Sequence, residues 1–359
     1  MLKNFDCKIV LENGREFYGC SFGARCEAIC EIVLNSSMVG YQEIISDPSY
    51  TGQTVLMTYS LIGNYGITDE DFESKNVSVG GLIVREYNDI PSNFRYTKTL
   101  SEVLEENNVP GISGVDTRTI AKIIRDEGSQ RVMITSINTS KEEALKKIKS
   151  HHMPKDLVAQ VSCKKIGYVK TFRPKFDVVV VDCGIKLNII REFSKKGCNV
   201  TIVPYNTSAE EIMNLSPDGL FISNGPGNPE DVPEVIEIIN KLKGKIPMFG
   251  IGLGYQVICL SYGAEIYKMK FGHRGGYPVK NLATDKIEIT SQNHSYAVNI
   301  DSLRETKLKV THVSLPDNTV EGIENKKDKV FAVQYQPESA PGPQDSSYLF
   351  DNFINMMNE

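Results

Sequence analysis

The sequence predicts an α/β protein with two domains, and three observations lead to that prediction. The chain has 359 residues, whereas a single domain commonly has about 150. Residues 1–150 contain short apolar runs separated by turns and then helical patterns, which indicates a mixed β-plus-helix domain. Residues 176–359 instead alternate apolar strands with amphipathic helices, which is typical of a doubly wound parallel sheet. The stretch 151–175 between them is predicted to be a linker.

The composition of the chain is that of a globular protein. Hydrophobic residues make up 40% and charged residues 24%, which excludes collagen-like, coiled-coil and disordered chains. The formal net charge of −5 argues against a broad attraction to nucleic acid or anionic lipid. No segment reaches the roughly 18 consecutive apolar residues of a membrane span, and residues 1–10 lack the apolar stretch of a signal peptide. We therefore expect no nucleic-acid partner, no membrane association and a cytoplasmic location.

The cysteines and histidines predict neither a metal site nor a redox dithiol. The chain has eight Cys and five His, but it has no C-x-x-C pair and no His at the spacing of a zinc ligand. Such cysteines are expected to be reduced, mostly buried side chains of an intracellular protein. They stand at positions 7, 20, 26, 30, 163, 183, 198 and 259.

The N-terminal domain begins with a predicted hairpin. Strands over residues 8–11 and 16–19 flank a turn containing Asn13-Gly14, a pair that suits the positive φ angles of a type I′ turn. A polar and basic stretch without strong periodicity follows this domain and predicts the linker. The other elements predicted before it are strands over 30–34, 54–59 and 80–84 and helices over 99–106, 117–126 and 141–150.

The C-terminal domain opens with a predicted strand over residues 177–182. Its run of four valines, 178–181, is typical of a strand buried on both faces. In a doubly wound sheet, ligands bind beyond the carboxyl ends of the strands, so the residues that follow each strand are the candidates for chemistry. The next predicted elements are helix 186–196, strand 199–204, helix 208–215, strand 219–223, helix 232–242 and strand 246–251.

The strand over 219–223 leads into a loop with two glycines, Gly225 and Gly227. Backbone N–H groups of such a loop can approach an anion or an oxyanion closely. Taken alone, the same residues are also explained by a tight turn.

The strand over 246–251 leads into Gly252 and then an apolar helix, which is the layout of a nucleophile elbow. The tip of such an elbow normally carries Ser or Cys, but this chain has Gly252 there. A dinucleotide-binding loop over 250–254 is the alternative. It is disfavoured because the motif G-x-G-x-x-G needs a third glycine. That glycine would fall at position 255 or 257, and this chain has Tyr255 and Val257 there.

Three later polar stretches, 271–276, 291–296 and 333–338, are predicted to be loops that follow short strands. These stretches follow the two-glycine loop and the elbow at Gly252 in a characteristic order. Together they make the chain similar to the small subunit of carbamoyl phosphate synthetase, which is a class I glutamine amidotransferase. The resemblance covers essentially the whole chain. The N-terminal stretch 35–50 and the C-terminal stretch 341–345 resemble signatures of that subunit in particular.

The resemblance implies an activity and a partner. In that family a cysteine attacks the side-chain amide of glutamine, a histidine acts as base and acid, and a glutamate orients the histidine. The released ammonia passes to a large subunit, which makes carbamoyl phosphate from bicarbonate and ATP for pyrimidine and arginine biosynthesis. This chain has no phosphate-binding G-x-x-x-x-G-K-[ST] loop. We therefore expect no cofactor on this chain, ATP and Mg²⁺ on the large subunit, and a heterodimer of the two.

The sequence departs from the family at two of the three catalytic positions. Gly252 stands at the nucleophile position and Gln336 at the histidine position, while Glu338 is retained. Acyl transfer needs a thiolate and a proton carrier that titrates near neutral pH, and glycine and glutamine supply neither. Gln336 can fill the space of a histidine and bond to Glu338. The sequence thus predicts a pseudoenzyme, a structural or regulatory subunit of an ammonia-dependent synthetase.

The glutamine-binding positions are better preserved. Backbone groups of Gly225 and Leu253 could still form an oxyanion hole. Three family residues are altered nearby, where this chain has Tyr255, Ser295 and Gln344. The positions that the resemblance assigns to glutamine binding are Ser37, Gly225, Gly227, Leu253, Gln256, Asn293, Ser295 and Tyr296.

Other functions stay open at this point. A glutaminase could use an unrecognised nucleophile, although Cys183 and Cys259 have the sequence context of turn or core residues. The chain could instead be a glutamine-sensing or repurposed binding module without a large subunit. An intact second small subunit could also exist in the same cell.

Overall fold

The computed structural model describes residues 5–358 and divides into two compact units, one up to Pro154 and one from Lys155 onward. Each unit has its own sheet and its own hydrophobic core. Within residues 5–358 no helix is both long and apolar enough to cross a membrane.

The first unit is built on a closed seven-stranded barrel in the order β1-β2-β8-β6-β4-β3-β9, beside a two-stranded pair β5-β7. Its strands are Cys7–Leu11 (β1), Glu16–Gly23 (β2), Ala28–Asn35 (β3), Gln53–Met57 (β4), Leu61–Ile62 (β5), Gly81–Ile83 (β6), Glu86–Tyr87 (β7), Pro110–Ser113 (β8) and Arg131–Ser136 (β9). Its helices are Tyr41–Ser46 (α1), Leu100–Glu106 (α2), Thr117–Glu127 (α3) and Lys141–Ser150 (α4).

Local sequence explains where these helices begin. Thr99 and Glu102 form a reciprocal capping box at α2, and the side chains of Asp116 and Ser140 cap α3 and α4. The three predicted helices are confirmed to within a residue. The type I′ turn is wrong, because Gly14 takes a φ of 84° while Asn13 keeps a negative φ, and a type I′ turn needs positive φ at both.

The second unit holds a ten-stranded sheet in the order β10-β12-β11-β13-β14-β19-β18-β17-β15-β16. Its strands are Gly167–Val169 (β10), Phe176–Asp182 (β11), Cys198–Pro204 (β12), Gly219–Ile222 (β13), Met248–Ile251 (β14), Ile266–Asn281 (β15), Ile287–Val298 (β16), Lys309–Ser314 (β17), Val320–Asn325 (β18) and Val330–Val333 (β19). Its helices are Leu157–Val161 (α5), Leu187–Lys195 (α6), Ala209–Asn214 (α7), Pro233–Leu242 (α8), Leu253–Ser261 (α9) and Tyr348–Asn358 (α10).

The centre of this sheet is the predicted doubly wound arrangement. Strands β12, β11, β13, β14 and β19 pair in parallel. Val178 and Val180 of β11 pack into the core on one face of the sheet, and Val179 and Val181 pack into the core on the other. Burial on both faces therefore explains the unbroken valine run.

The edges of the sheet differ from the prediction. Strands β10, β18, β17, β15 and β16 are antiparallel to their neighbours, so the sheet is mixed. The stretches 271–276 and 291–296, predicted to be loops, lie inside β15 and β16. These stretches are rich in polar residues and lack the apolar pattern of a strand. They are strands because the two segments pair with each other across the hairpin.

The stretch 151–175 between the predicted domains contains regular structure. Leu157–Val161 form α5, and Gly167–Val169 form β10, which pairs with β12 as an edge strand of the second sheet. Both elements lie in the second unit.

Candidate functional site

The candidate site lies at the carboxyl ends of three neighbouring parallel strands, β13, β14 and β19. A Cβ atom built on Gly252, which follows β14, would lie 3.5 Å from the Cβ of Asn224 and 3.9 Å from the carbonyl oxygen of Gln334. Asn224 follows β13 and Gln334 follows β19. The sheet thus brings the predicted elbow tip against the two loops on either side of it.

Gly252 has the backbone of an elbow tip without a side chain. It lies between β14 and α9 with φ 58° and ψ −111°, and its N–H donates to the carbonyl oxygen of Val333 at 3.0 Å. This strand, turn and helix arrangement is the one that the sequence predicts. A side chain would meet only ordinary contacts there, but a non-glycine residue held at such angles costs about 1–3 kcal/mol. The absence of a side chain therefore relaxes the turn.

Gly225 can only be glycine in this fold. A Cβ on it would lie 2.2 Å from the carbonyl oxygen of Cys183 and 2.9 Å from Cδ2 of Leu253, well inside contact distance. Leu253 is the first residue of α9, so its backbone N–H has no acceptor within the helix. The two residues proposed to supply oxyanion-hole groups are therefore in contact. Gly227, further along the loop, is exposed and takes a φ of 91°.

Gln336 and Glu338 both contact a lysine that sequence reasoning missed. The Lys186 ammonium lies 2.8 Å from Oε1 of Glu338 and 3.4 Å from Oε1 of Gln336, and it also donates to the carbonyl oxygen of Ala340. The side chains of Lys186 and Glu338 are both 0% exposed. Lysine is almost never fully buried unless it is paired. Its position at the start of α6, at the same edge of the sheet, is the signal that could have marked it.

This ion pair gives Glu338 a structural role besides the one implied by the family resemblance. Lys186 is the N-cap residue of α6, while Glu338 lies beyond β19. Their contact joins two segments at the carboxyl edge of the sheet. A carboxylate at position 338 is therefore required to neutralise a buried ammonium group, whatever its role in catalysis.

Four of the other predicted glutamine-binding residues lie on α9 and β16. Nε2 of Gln256 donates to the carbonyl oxygen of Tyr296 at 3.2 Å and to Oε1 of Gln334 at 3.0 Å. The hydroxyl of Ser295 accepts from Nη2 of the buried Arg274 at 2.5 Å. Asn293 pairs across the hairpin with Arg274. The structure thus joins α9 to β16 through Gln256.

Ser37 belongs to the first unit. It follows β3 and is partly buried, and its backbone N–H donates to Oδ1 of Asn35 at 2.8 Å. Tyr255, at a position where the resemblance implies a histidine, lies in the core of the second unit. It is fully buried, and its hydroxyl donates to the carbonyl oxygen of Val320 at 2.8 Å. The Tyr255 side chain is therefore held in the core by its own hydrogen bond.

None of the four cysteines in the second unit has the surroundings of a reactive nucleophile. Cys183 and Cys259 are 0% exposed, and burial raises the pKa of each thiol well above its ordinary value. Burial also raises the pKa of Cys163 to about 12 and that of Cys198 to about 11. A thiol in such surroundings is protonated near neutral pH, and the thiolate is the reactive form.

The fold and this edge of the sheet define a class I glutamine amidotransferase domain. Residues 179–356 match that family, described as glutamine amidotransferase class-I. Residues 9–134 match the carbamoyl-phosphate synthase small chain, CPSase domain. The chain belongs to the carbamoyl-phosphate synthase small chain family.

Two small chains support this assignment over the full length. The carbamoyl phosphate synthase small chains of Staphylococcus epidermidis and Listeria monocytogenes are 52% and 50% identical to this chain. Each alignment covers 98% of this chain and 96% of the relative. A solved structure of a putative GMP synthase subunit from Thermoplasma acidophilum is 24% identical, covers 51% of this chain and 94% of its own, and has a TM-score of 0.45.

Proposed function

We propose that this chain is a carbamoyl phosphate synthase small subunit that has lost glutamine hydrolysis and serves a large subunit fed by free ammonia. The observation that carries the proposal is Gly252 at the tip of the elbow. Glycine has no side-chain atom to attack the glutamine amide, and the φ of 58° there is one that glycine adopts without strain.

The surroundings of Gly252 support the same conclusion. Gln336 stands at the position of the general base, and its amide does not titrate in the range that proton transfer requires. The ammonium of Lys186 contacts Gln336 and is paired with Glu338, so it is engaged in an ion pair. Buried thiols with raised pKa values make an alternative cysteine nucleophile unfavourable.

The role that remains is structural or regulatory. Under this proposal the first unit, which matches the small-chain domain of the family, carries the contact with the large subunit. ATP, Mg²⁺ and bicarbonate act on that partner, and this chain holds no cofactor for the synthesis of carbamoyl phosphate. The retained positions Gly225, Leu253 and Gln256 favour binding of L-glutamine without hydrolysis.

The test uses the complex of this chain with its large subunit. Carbamoyl phosphate formation is measured with glutamine and with ammonium chloride, and glutamate release is measured separately. We expect product with ammonium only and glutamate at the rate of the no-enzyme control. Glutamate release by the wild-type complex well above that background would refute the loss of hydrolysis.

Restoration variants sharpen the test. Gly252→Cys and Gln336→His are made singly and together, since a nucleophile and its base act as a unit. We expect partial glutamine hydrolysis in the double variant alone. Gly252→Ala combined with Gln336→His is the matched control, because it carries the same backbone strain without a thiol. Activity in Gly252→Cys alone would contradict the role assigned to Gln336.

Two binding measurements separate the remaining alternatives. Co-purification of the large subunit is expected, and its failure would favour a repurposed module. Isothermal titration with glutamine then distinguishes a sensor, which binds tightly without turnover, from a purely structural subunit.

A further inference from the structure

A second cluster of polar groups lies in the second unit and includes two imidazoles and a carboxylate. His273 on β15 and His294 on β16 are directly opposite each other in the hairpin, and Glu321 lies on β18. Their side chains are 3%, 3% and 0% exposed. One nitrogen from each imidazole and one carboxylate oxygen all lie within 4.8 Å of one another.

The proton on His294 can be placed from its hydrogen bond. Its Nδ1 lies 2.8 Å from the carbonyl oxygen of Tyr296, and a carbonyl can only accept, so Nδ1 carries the hydrogen. Burial also lowers the pKa of His294 to about 4, so the ring is neutral near pH 7. Nε2 therefore has a bare lone pair. It faces Oε1 of Glu321 at 3.9 Å and has no hydrogen-bond partner.

His273 presents its other nitrogen to the same oxygen. Its Nε2 lies 2.8 Å from Oδ2 of Asp317, and its Nδ1 lies 3.6 Å from Oε1 of Glu321. A separation of 3.6 Å is too long for a hydrogen bond, and Nδ1 has no other partner. Two buried ring nitrogens are thus directed at one carboxylate oxygen without bonding to it.

We propose that His273, His294 and Glu321 form a binding site for a divalent transition metal such as Zn²⁺, with a further position open to water. Imidazole and carboxylate are ligands that zinc takes readily. Zinc bonds of about 2.0–2.2 Å in a tetrahedral site place ligand atoms about 3.4 Å apart. The observed 3.6 and 3.9 Å separations from Glu321 need contraction by a few tenths of an ångström. The two ring nitrogens, which lie within 4.8 Å of each other, move together to the same spacing when the ion binds.

The groups behind the three ligands match those of a metal site. Asp317 and the carbonyl of Tyr296 each fix the second nitrogen of one imidazole, and Nε2 of Gln292 donates to Oε2 of Glu321 at 2.9 Å. Such outer hydrogen bonds select the tautomer and orientation that a metal needs. Each proposed ligand therefore has a hydrogen-bond partner on its other polar atom. Oε1 of Glu321 also accepts from the Thr319 hydroxyl at 3.0 Å, which leaves its second lone pair for a cation.

A single proton would give hydrogen-bond partners to fewer polar atoms of this cluster than a metal ion would bind. Burial disfavours the imidazolium form of His273, but the negative charges of Glu321 and Asp317 and the hydrogen bond with Asp317 outweigh it and raise the pKa of His273. A proton on Nδ1 of His273 would neutralise Glu321 and still leave Nε2 of His294 without a partner. One divalent cation accepts both lone pairs and the carboxylate together.

The proposed site joins strands that are distant in the chain. It would link the β15–β16 hairpin to β18, and His294 lies between Asn293 and Ser295, two of the predicted glutamine-binding residues. The expectation of no metal site rests on short spacings along the chain. Such spacings cannot detect ligands contributed by three separate strands.

The test measures Zn²⁺ binding by the full-length chain after removal of metal with a chelator. Elemental analysis after dialysis is expected to find about one ion per chain, and zinc X-ray absorption is expected to report nitrogen and oxygen ligands that include two imidazoles. Substoichiometric zinc at micromolar concentration would overturn the proposal. A sulfur ligand in the absorption spectrum would also overturn it.

Two variants and a matched control assign the site. His294→Gln and Glu321→Gln are each expected to weaken Zn²⁺ binding at least about tenfold in a competition assay with a chromophoric chelator. His312→Gln is the control, since His312 is also buried but contacts Thr311 and Tyr348. Equal affinity in the wild type and Glu321→Gln, or an equal loss in His312→Gln, would refute the assignment. The absorption measurement on the wild type decides the question if a variant fails to fold.

Discussion

Replacing Glu338 by glutamine should destabilise the second unit strongly. The 2.8 Å pair with Lys186 has both side chains fully buried, so solvent does not screen it. At an effective dielectric constant of about 20, its Coulomb attraction is about 6 kcal/mol, which offsets the desolvation of both charges. Glu338→Gln removes the attraction but leaves the ammonium group buried. Breaking such a pair from one side costs about 3–5 kcal/mol.

That loss is large enough to measure by thermal and urea unfolding. For a unit of this size about 2–4 °C accompanies each kcal/mol, so the melting temperature of the second unit should fall by about 6–20 °C. Lys186→Met completes a double-mutant cycle. The double variant should lose much less stability than the sum of the single losses, because it leaves no uncompensated buried charge.

An exposed ion pair provides the control for this cycle. Lys241 and Glu237 form a 2.6 Å pair on α8 with both side chains more than half exposed, so Glu237→Gln should have little effect on unfolding. The reasoning would be refuted if Glu338→Gln unfolded like the wild type. Additive losses from Lys186→Met and Glu338→Gln would refute it equally.

Three further predictions concern strain, protonation and thiol reactivity. Gly252→Ala should lower the free energy of unfolding by about 1–3 kcal/mol because of the positive φ at Gly252. Gly276→Ala is the control and should be nearly neutral, since Gly276 has no positive φ and a Cβ there would have its nearest contact at 3.7 Å. Urea titration measures both variants. In the metal-free chain, burial lowers the pKa of His294 and His312 to about 4, so the unfolded chain binds these protons from about pH 6.5 while the folded chain does not. Stability should therefore fall as the pH drops from about 6.5 to 4, by up to about 3 kcal/mol for each histidine, and a flat urea midpoint over that range would contradict this. Cys259 is fully buried, so its thiol should react with a thiol reagent at pH 8 only as fast as the protein unfolds. Mass spectrometry measures the labelling, and rapid labelling of the folded protein would contradict the burial of this thiol.

Much of the fold could be predicted from local patterns. The helix over 141–150 and the strand over 177–182 were located to within a residue, since capping residues and valine runs act through neighbours in the chain. The antiparallel half of the second sheet could not be located in this way. The long strands β15 and β16 are polar along much of their length, and only their pairing across the hairpin makes them strands.

The candidate site could likewise be predicted only in part from local sequence. The strand–turn–helix at Gly252 follows from an apolar run, a glycine and a second apolar run in succession. The position of Lys186 at the start of a predicted helix is a local signal, but its pairing with Glu338 is not, because the two residues are 152 positions apart. The environment of Tyr255 also depends on the fold, since its hydroxyl partner is the carbonyl of Val320 on a distant strand.

The sequence by itself determined that position 252 carries no nucleophilic side chain and that position 336 carries no imidazole. Those are statements about which atoms exist at Gly252 and Gln336, and no fold can supply atoms that the side chains lack. Only the tertiary structure decided what surrounds them. Burial, charge pairing and ligand clustering depend on distances across the sheet, and they gave Glu338 its buried partner and brought His273 and His294 together beside Glu321.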